Sequence, residues 1–449
     1  MRKYITPPLV LQKKRERKQK RKQNRLKKIQ SSANKANVFQ DKYLEMSDAV
    51  ITGEIIKINK VSTFGDRKSR TFRIPDNFDI FSNPEGSLHA INRIANILLG
   101  SKIRKLHLNH QKVVKNSLGS ESLLGLVVSE IVLNRHDKSR KKYDFTLSGQ
   151  LPRKTEARQL TQSVGLIKEM TVRHDKLSDN MQNNNILYFS AESRPEQSFG
   201  VKFDDKSKAA EDCVSYLESC LNKHDLTINK NIQHRLQACL GEILDNADEH
   251  SSRTRSNWYV KGYFNDTENE VERFLELSVF NVGNSIYDNF KELHEGSEVK
   301  GKAKKYVSQH NSLVSESCLY SVYALQGSVS TKRDQDPTRG QGTVTLIETF
   351  ESIYADYRKL RDKDGCSKAE MNIISGDTVI SFTGEYKSTT KQVRNGTEIF
   401  EMPFNEKNSL SYPPDIRYVK KMDKVFFPGV MINIRIPLQG STKVLDKGK

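Results

Sequence analysis

One stretch of the chain, LQACLGEILDNADEH at residues 236–250, carries apolar residues at helical spacing. These residues fall on one stripe of a helix, which predicts that the stripe packs on a core. The stripe consists of Leu236, Cys239, Leu240, Ile243, Leu244 and Ala247. Glu242 and Asn246 lie four positions apart on another stripe, so their side chains stack one turn above the other, and His250 extends the row. The pattern predicts a helix over residues 232–250, although a plain surface helix with solvated polar residues would show the same spacing.

Alternating apolar residues further along the chain predict strands. Residues 258–264 and 274–280 flank a turn rich in Asn and Asp, which predicts an antiparallel hairpin. Residues 371–382 predict two strands around a Ser-Gly-Asp turn, and residues 429–437 predict a closing strand. Between the strands, helical spacing predicts helices at 209–221 and 312–325.

The N-terminal half of the chain alternates strand and helix patterns. This order predicts a small α/β or α+β domain over residues 50–175. Strands are predicted at 51–58, 72–75, 103–108 and 143–147, and helices at 88–99, 118–133 and 156–170. A polar stretch without periodicity at 180–185 lies within a predicted linker, residues 176–204.

Length and composition fit a multidomain protein with real cores. At 449 residues the chain has room for two or three domains, and its 19 Phe and 16 Tyr offset a mean hydropathy of only −0.68. No apolar run approaches the ~20 residues that span a bilayer, and no signal peptide is visible. The five cysteines are widely spaced and never form a Cys-x-x-Cys pair. We therefore expect a cytoplasmic protein with reduced thiols and no membrane partner.

The net charge of +19 is concentrated at the N-terminus. Residues 1–30 contain 13 Lys or Arg against one Glu, which gives this segment +12 and leaves +7 for the rest. A segment so poor in apolar residues cannot bury enough surface to fold alone, so residues 1–45 are predicted to form a disordered basic arm. Residues 2–28 could bind nucleic acid or another polyanion through its phosphates, or could act only as a solubilising tail.

Two glycine-containing turns complete the candidate chemistry. Asn281-Val-Gly283-Asn-Ser285 follows a predicted strand, and Gly340-Gln-Gly342-Thr343 precedes a helical pattern. Glycines before a helix let backbone N–H groups approach phosphate oxygens, although a plain turn would look the same. A carboxylate such as Glu242 can polarise water, and a carboxamide such as Asn246 can hold a metal ion on a phosphate chain.

Taken in order, the helix with Glu242 and Asn246, the turn with Asn281 and Gly283, and the Gly340-x-Gly342 pair resemble the motifs of the GHKL ATPase superfamily. This superfamily (the Bergerat fold) includes type II topoisomerase ATPase domains, sensor histidine kinases, anti-sigma kinases and a large heat-shock chaperone. The resemblance covers residues 205–437 and implies an α+β fold, a sandwich in which a mixed or antiparallel sheet is covered by helices. Residues 438–449 would form a tail.

The resemblance also implies roles for individual residues, with ATP and Mg²⁺ as cofactors and dimerisation on nucleotide binding as a family habit. Asn246 would bind the Mg²⁺ that bridges the phosphates, and Glu242 would orient or deprotonate the attacking water. Gly340, Gly342, Thr343 and Lys332 would contact phosphate.

Other parts of the resemblance concern the base and the lid. Asn281, Gly283 and Ser285 would lie at the base, although the family usually has Asp at position 281 and Gly at position 285. The interval between Ile286 and Gly340 would form a lid over the triphosphate, with a basic, glycine-containing loop at residues 295–305.

Residues 50–175 look weakly similar to a STAS domain, the fold of anti-anti-sigma proteins. The similarity rests on the order of elements and on the SGQLP…SVGLI ending. It would place Ser117 or Ser120 where STAS regulators are phosphorylated, and a helix N-terminus would favour the added charge. The plainer role for either serine is a helix cap.

Three functions remain open from the sequence. We favour a slow Mg²⁺-dependent ATPase that acts as a nucleotide-driven regulatory switch. A protein kinase of the anti-sigma or histidine-kinase type is the second, and a nucleic-acid-binding scaffold with a degenerate nucleotide pocket is the third. Release of phosphate, transfer of label to protein, and salt-dependent binding of nucleic acid would distinguish them in turn.

Overall fold

The structure is a computed structural model. It describes residues 69–99, 103–138, 145–174, 186–193, 205–223, 230–250, 258–266, 273–326, 346–349, 369–392 and 398–437. Several predicted features lie outside these residues: the basic arm, the strand at 51–58, the polar stretch at 180–185, the glycine pair Gly340 and Gly342, and the tail at 438–449.

The first half of the described chain contains a small parallel sheet. Strands β1 (Ser69–Arg73), β3 (Lys105–Asn109) and β5 (Thr146–Gln150) pair in that order, and β2 (Asn77–Phe78) pairs in parallel with β4 (Lys115–Asn116). Parallel neighbours need a crossover between them, and helices supply it. The first crossover contains α1 (Pro84–Leu99) and the second contains α2 (Leu118–Lys138). Among the described residues, the predicted succession of strands and helices from residue 72 to residue 147 is confirmed, and the two short strands β2 and β4 were not predicted.

Helix α2 is buried on nearly every side over its first four turns. Leu118, Leu123, Leu124, Val127 and Ile131 are fully inaccessible to solvent. A helix that is apolar all round belongs inside a protein, and α2 packs against α1 on one side and against a second, larger sheet on the other. Its burial therefore joins the two halves of the molecule.

The N-terminus of α2 is closed to phosphorylation. Ser117 and Ser120 are fully buried; the Ser117 hydroxyl accepts a hydrogen bond from the Ile80 N–H at 2.8 Å, and the Ser120 hydroxyl donates to the Phe78 carbonyl at 2.6 Å. The carboxylate of Glu276 accepts from the Leu118 N–H at 2.6 Å, so a negative charge already lies at this helix end. The expectation of a regulatory phosphoserine here is contradicted by this burial.

The single helix predicted at 156–170 is two helices, α3 (Thr155–Val164) and α4 (Leu166–His174), separated at Gly165. A Cβ at Gly165 would lie 2.6 Å from the Thr161 carbonyl oxygen and 3.0 Å from a Glu121 carboxylate oxygen. These contacts leave room for glycine alone at the break, and helical periodicity could not reveal them.

The second half of the chain is built on a seven-stranded sheet with strand order β13-β10-β9-β14-β8-β7-β6. Every neighbouring pair in it is antiparallel. Its strands are β6 (Ile186–Glu192), β7 (Trp258–Asn265), β8 (Phe274–Val282), β9 (Glu370–Gly376), β10 (Thr378–Phe382), β13 (Val419–Lys421) and β14 (Phe427–Pro437). A separate hairpin pairs β11 (Thr389–Gln392) with β12 (Glu398–Glu401). The predicted hairpins and closing strand are confirmed, and β6 comes from residues 176–204, which were predicted as a linker.

Helices cover one face of the large sheet. They are α5 (Asp205–Asn222), α6 (Lys230–His250), α7 (Ile286–Glu292), α8 (Glu298–His310) and α9 (Glu316–Ala324), with a further helical stretch at residues 346–349. Their apolar side chains form one core with inward-facing strand residues such as Val260, Val279 and Ile432. The predicted basic loop at 295–305 is largely helix α8, whose Ala303, Tyr306 and Val307 fall at helical spacing and are buried.

The other face of the large sheet packs against the N-terminal half. Phe280, Ile374 and Met431 belong to the same buried cluster as α1, α2 and the parallel sheet. The amide of Asn372 donates to the Ile80 carbonyl at 2.8 Å across this junction. The α+β class predicted from the sequence is confirmed. The GHKL-type and STAS-like arrangements remain predictions.

Candidate functional site

The predicted polar residues of helix α6, Glu242 and Asn246, lie at the edge of the core. Its apolar stripe is buried as predicted, with each residue from Leu236 to Ala247 on that stripe at most 8% exposed. Glu242 is half-buried and Asn246 is exposed, so both lie outside the apolar stripe. An ion pair between Lys206 and Asp245, 2.6 Å apart, ties α6 to α5.

Helix α6 and the turn after β8 belong to the same face of the large sheet. Helix α6 packs on β7 and β8, and its Ala247 shares a buried cluster with Trp258 and Val279. Trp258 is the first residue of β7 and pairs with Asn281, near the end of β8. Because paired residues of antiparallel strands point to one face, Asn281 shares the helix-covered face with Trp258 and Val279.

A polar row crosses this end of the sheet on the helix-covered face. Its members, in order across the strands, are Trp258, Asn281, Val430, Ser375, Thr378 and Lys421. The adjacent row on the same face is entirely apolar and consists of Val260, Val279, Ile432, Ile373, Ile380 and Val419. The first row carries amide, hydroxyl and amino groups on Asn281, Ser375, Thr378 and Lys421, whereas the adjacent row carries none, and this end of the sheet is therefore the candidate site.

Asn281 is held by an irregularity in the neighbouring strand. Its Oδ1 accepts a hydrogen bond from the Val430 N–H at 3.2 Å, and its side chain is 5% exposed. The pairing of β14 with β9 shifts register between Phe427 and Val430, at Gly429, whose φ is +121°. A Cβ at Gly429 would lie 2.1 Å from the Asn281 carbonyl oxygen, so only glycine allows the two strands to approach in this way.

The turn that follows Asn281 is equally fixed. The Gly283 N–H donates to the Pro428 carbonyl at 3.3 Å. Ser285 is the N-cap of α7 in a capping box with Asp288: the Ser285 hydroxyl accepts from the Asp288 N–H, and the Asp288 carboxylate accepts from the Ser285 N–H. Where the family pattern has glycine, the serine here therefore begins a helix.

Ser375 is a site residue that sequence reasoning missed. Its hydroxyl accepts from the Ile286 N–H at 2.9 Å and donates to the Gly429 carbonyl at 2.9 Å, so it links α7, β9 and β14. In the sequence it belongs only to a hairpin turn with Gly376, whose positive φ of +61° such turns require. No local pattern indicates a partner 89 residues away.

The phosphate-side residues of the prediction lie outside the described residues: Gly340, Gly342, Thr343 and Lys332. The residues that follow them support the predicted helix, because 346–349 are helical. Leu346 and Ile347 are buried in the same cluster as α6 and α7. The segment after the glycine pair therefore packs on the same face of the sheet as Glu242, Asn246 and Asn281.

The buried thiols near α6 hold their protons more tightly than exposed cysteines do. Burial raises the pKa of Cys239 strongly, and the nearby Glu242 carboxylate raises it further. Burial also raises the pKa of Cys213 and of Cys220 to about 12. Among the described residues, no three His, Cys, Asp or Glu side chains cluster closely enough to hold a metal ion. The exposed carboxamide of Asn246 fits Mg²⁺, which keeps several waters and needs only one or two protein oxygens.

The two best-defined cavities among the described residues are not lined by Glu242, Asn246 or Asn281. One is a space of about 10 Å³ between α1, α2 and residues 425–427. The other, of about 330 Å³, is an open groove whose lining includes Leu313, Cys318, Ile416 and Lys421. Lys421 ends the polar row, so the groove begins at the side of the sheet away from β7.

No family model, no curated protein and no solved structure matches this chain. None of the helices in the described ranges combines the length and the hydrophobicity that crossing a bilayer requires.

Proposed function

We propose that this chain binds a nucleoside triphosphate together with Mg²⁺ in the manner of the GHKL superfamily, and that it acts as a nucleotide-driven regulatory switch. One observation carries the proposal. Helix α6, which carries Glu242 and Asn246, the turn from Asn281 to Ser285 and the described segment after Gly340 and Gly342 all pack on one face of one antiparallel sheet. These three segments are far apart in sequence.

Each of these residues would contact a different part of the Mg²⁺–nucleotide complex. The base would lie against Asn281, and the backbone N–H groups after Gly340 and Gly342 would hold the phosphates. Asn246 would supply one oxygen to Mg²⁺, and phosphate and water oxygens would complete its coordination. Glu242, one turn earlier on the same row, would orient the water that attacks the terminal phosphate.

The fold offers a direct path for a switch. Strand β8 carries Asn281 near one end and Glu276 nearer the other, and Glu276 binds both Arg435 and the first N–H of α2. A shift of β8 on nucleotide binding would therefore change contacts of the helix that fills the N-terminal half. That half, with the basic segment that precedes it in sequence, is the part through which we expect a partner to respond.

The test is a calorimetric titration of the full chain with nucleoside triphosphates, with and without Mg²⁺. Asn246→Ala should weaken the Mg²⁺-dependent binding by about tenfold or more, because the metal loses its protein ligand. Glu242→Ala should leave binding intact and abolish phosphate release.

Gln237→Ala is the matched control, since Gln237 is a half-buried carboxamide on the same helix. It precedes Asn246 by nine positions, which turns its side chain to the opposite side of α6. The change should affect neither binding nor phosphate release. A parent chain that binds no triphosphate, or equal affinities for the Asn246 and Gln237 variants, would overturn the proposal.

A second candidate function is a polyanion-binding scaffold with a degenerate pocket. The hydrogen bond from the Val430 N–H to Asn281 Oδ1 favours it, because this bond already uses one of the two lone pairs of the only acceptor that the Asn281 side chain offers to adenine. Binding of residues 2–28 to nucleic acid, with affinity falling steeply as salt rises, in a chain that binds no nucleotide would select this function.

A further inference from the structure

The orientation of the Asn281 carboxamide determines what it can offer a ligand. A backbone N–H requires an acceptor, and the Val430 N–H donates to Asn281 Oδ1 at 3.2 Å. The oxygen therefore faces β14, and the Nδ2 amino group lies on the opposite side of the carboxamide with two N–H donors. Among the described residues, the side chain of Asn281 makes one hydrogen bond, the one that its Oδ1 accepts from the Val430 N–H.

The neighbouring contacts prevent the amide from reversing. The Gly283 N–H binds the Pro428 carbonyl, and the Ser375 hydroxyl binds the Gly429 carbonyl, so both backbones beside Asn281 are fixed. A reversed amide would place its N–H groups against the Val430 N–H and leave a buried backbone donor without a partner. Asn281 thus presents a donor where an Asp would present an acceptor.

We infer that Asn281 makes the nucleotide site selective for a purine with a 6-oxo group, guanine or hypoxanthine, over adenine. The inference rests on the proposed function, in which the base lies against Asn281. A 6-oxo group accepts hydrogen bonds, whereas the 6-amino group of adenine donates them. A 6-oxo oxygen beside Asn281 Nδ2 would accept a hydrogen bond from it. A 6-amino group in the same place would put one donor against another.

Asn281→Asp reverses this chemistry with little change of shape. One carboxylate oxygen can still accept from the Val430 N–H, so the strand contact is retained. The other oxygen replaces the amino group and becomes an acceptor. The variant is therefore expected to fold like the parent and to prefer the 6-amino base.

The experiment compares the dissociation constants of the full chain for Mg²⁺ complexes of GTP, ITP and ATP. In the parent, GTP and ITP should each bind about tenfold or more tightly than ATP, since one matched hydrogen bond replaces a clash of donors. ITP lacks the 2-amino group of guanine. If ITP and GTP have similar dissociation constants, the preference over ATP must come from the group at the 6-position. In Asn281→Asp the order should reverse.

Several results would overturn the inference. These are tighter or equal binding of ATP by the parent, ITP that binds as weakly as ATP, or an unchanged order in a folded Asn281→Asp chain. The parent ranking alone decides the matter if the variant does not fold. ATP preference would refute only the base selectivity, whereas the absence of any triphosphate binding would refute the proposed function as well.

Discussion

Arg435 is the residue on which the junction between the two halves depends. Its guanidinium is 14% exposed and lies 2.7 Å from Glu276 Oε1, 3.0 Å from Asp79 Oδ1 and 4.4 Å from the centre of the Phe81 ring. Burial alone raises the pKa of Asp79, but Arg435, together with Ser82 and Lys115, outweighs burial and brings this pKa below its ordinary value. Burial dominates at Glu276 and raises its pKa, although Arg435 opposes this shift. Arg435 thus stabilises two carboxylates that are almost fully buried.

Replacing Arg435 should therefore cost far more than replacing an exposed arginine. Arg435→Leu leaves Asp79 and Glu276 buried without their common cation, and we expect a loss of about 3–5 kcal/mol in the free energy of unfolding, measured by urea denaturation. Arg417→Leu is the control, because Arg417 is 68% exposed and pairs with Asp415 at the surface. Its cost should stay below about 1 kcal/mol. Similar costs for the two variants would contradict this account of the junction.

At this scale the sequence predicted burial better than it predicted partners. The apolar stripe of α6 followed from spacing alone, since helical periodicity is a local property. The contacts of Asn281 with Val430 and of Ser375 with Ile286 join residues 149 and 89 positions apart. Such contacts depend on strand order and on a bulge at Gly429, and neither is encoded in a short window of sequence.

Among the elements, the corner formed by β8, β9 and β14 has the least freedom. Gly429 has a φ of +121° and a carbonyl oxygen 2.1 Å from the place a Cβ would occupy. By contrast, a Cβ at Gly241, within α6, would meet no atom within 4 Å. The backbone geometry therefore requires glycine at position 429. At position 241 no contact requires glycine, and alanine would make helix α6 more stable.

Alanine should therefore have opposite effects at the two positions. Gly429→Ala should destabilise the protein by about 1–3 kcal/mol or more, because it strains the backbone and separates β14 from Asn281. Gly241→Ala should stabilise it by about 0.5–1 kcal/mol through helix propensity. Thermal unfolding of both variants measures the two shifts. A stabilising Gly429→Ala would refute the described geometry of this corner.

Elements with one buried face were predicted well, and elements shaped by close approach were not. The strands of the two hairpins and the closing strand alternate cleanly, and they were found with small differences at their ends. The break between α3 and α4 was missed, because the close contacts of Gly165 with the Thr161 carbonyl and the Glu121 carboxylate leave no trace in the hydrophobic pattern. The basic residues of 295–305 suggested a loop, but α8 leaves its lysines mostly on the exposed side while its apolar stripe is buried.

For the whole molecule, the main departure from expectation is the shared interior. The sequence predicted two domains joined by a linker, since a change of pattern usually marks a boundary. Instead, α2 packs against β7 and β8, and its leucines and valines belong to one buried cluster with Phe280, Ile374 and Met431. Hydrophobic patterning shows that a residue is buried but not which surface covers it, so the junction could not be predicted.

A cavity in α2 should therefore weaken the large sheet. Leu124 is fully buried in α2, and Trp258, the only tryptophan, reports on the large sheet. Leu124→Ala should lower the free energy of unfolding by about 2–5 kcal/mol when unfolding is followed by Trp258 fluorescence. Leu313→Ala, at an exposed position, should leave the transition nearly unchanged. A Trp258 transition insensitive to Leu124→Ala would show two independently folding halves.

The central claim is that distant segments of the chain meet at one nucleotide. Hydrogen exchange of the full chain, with and without saturating Mg²⁺ and the triphosphate that binds most tightly, tests this claim most directly. We predict slower exchange of backbone amides at residues 242–250 and 281–288 in the same complex, because the proposed function assigns contacts with Mg²⁺, the attacking water and the base to these two segments. Protection confined to the groove around Leu313, Cys318 and Lys421, or absent from either of those two segments, would contradict it.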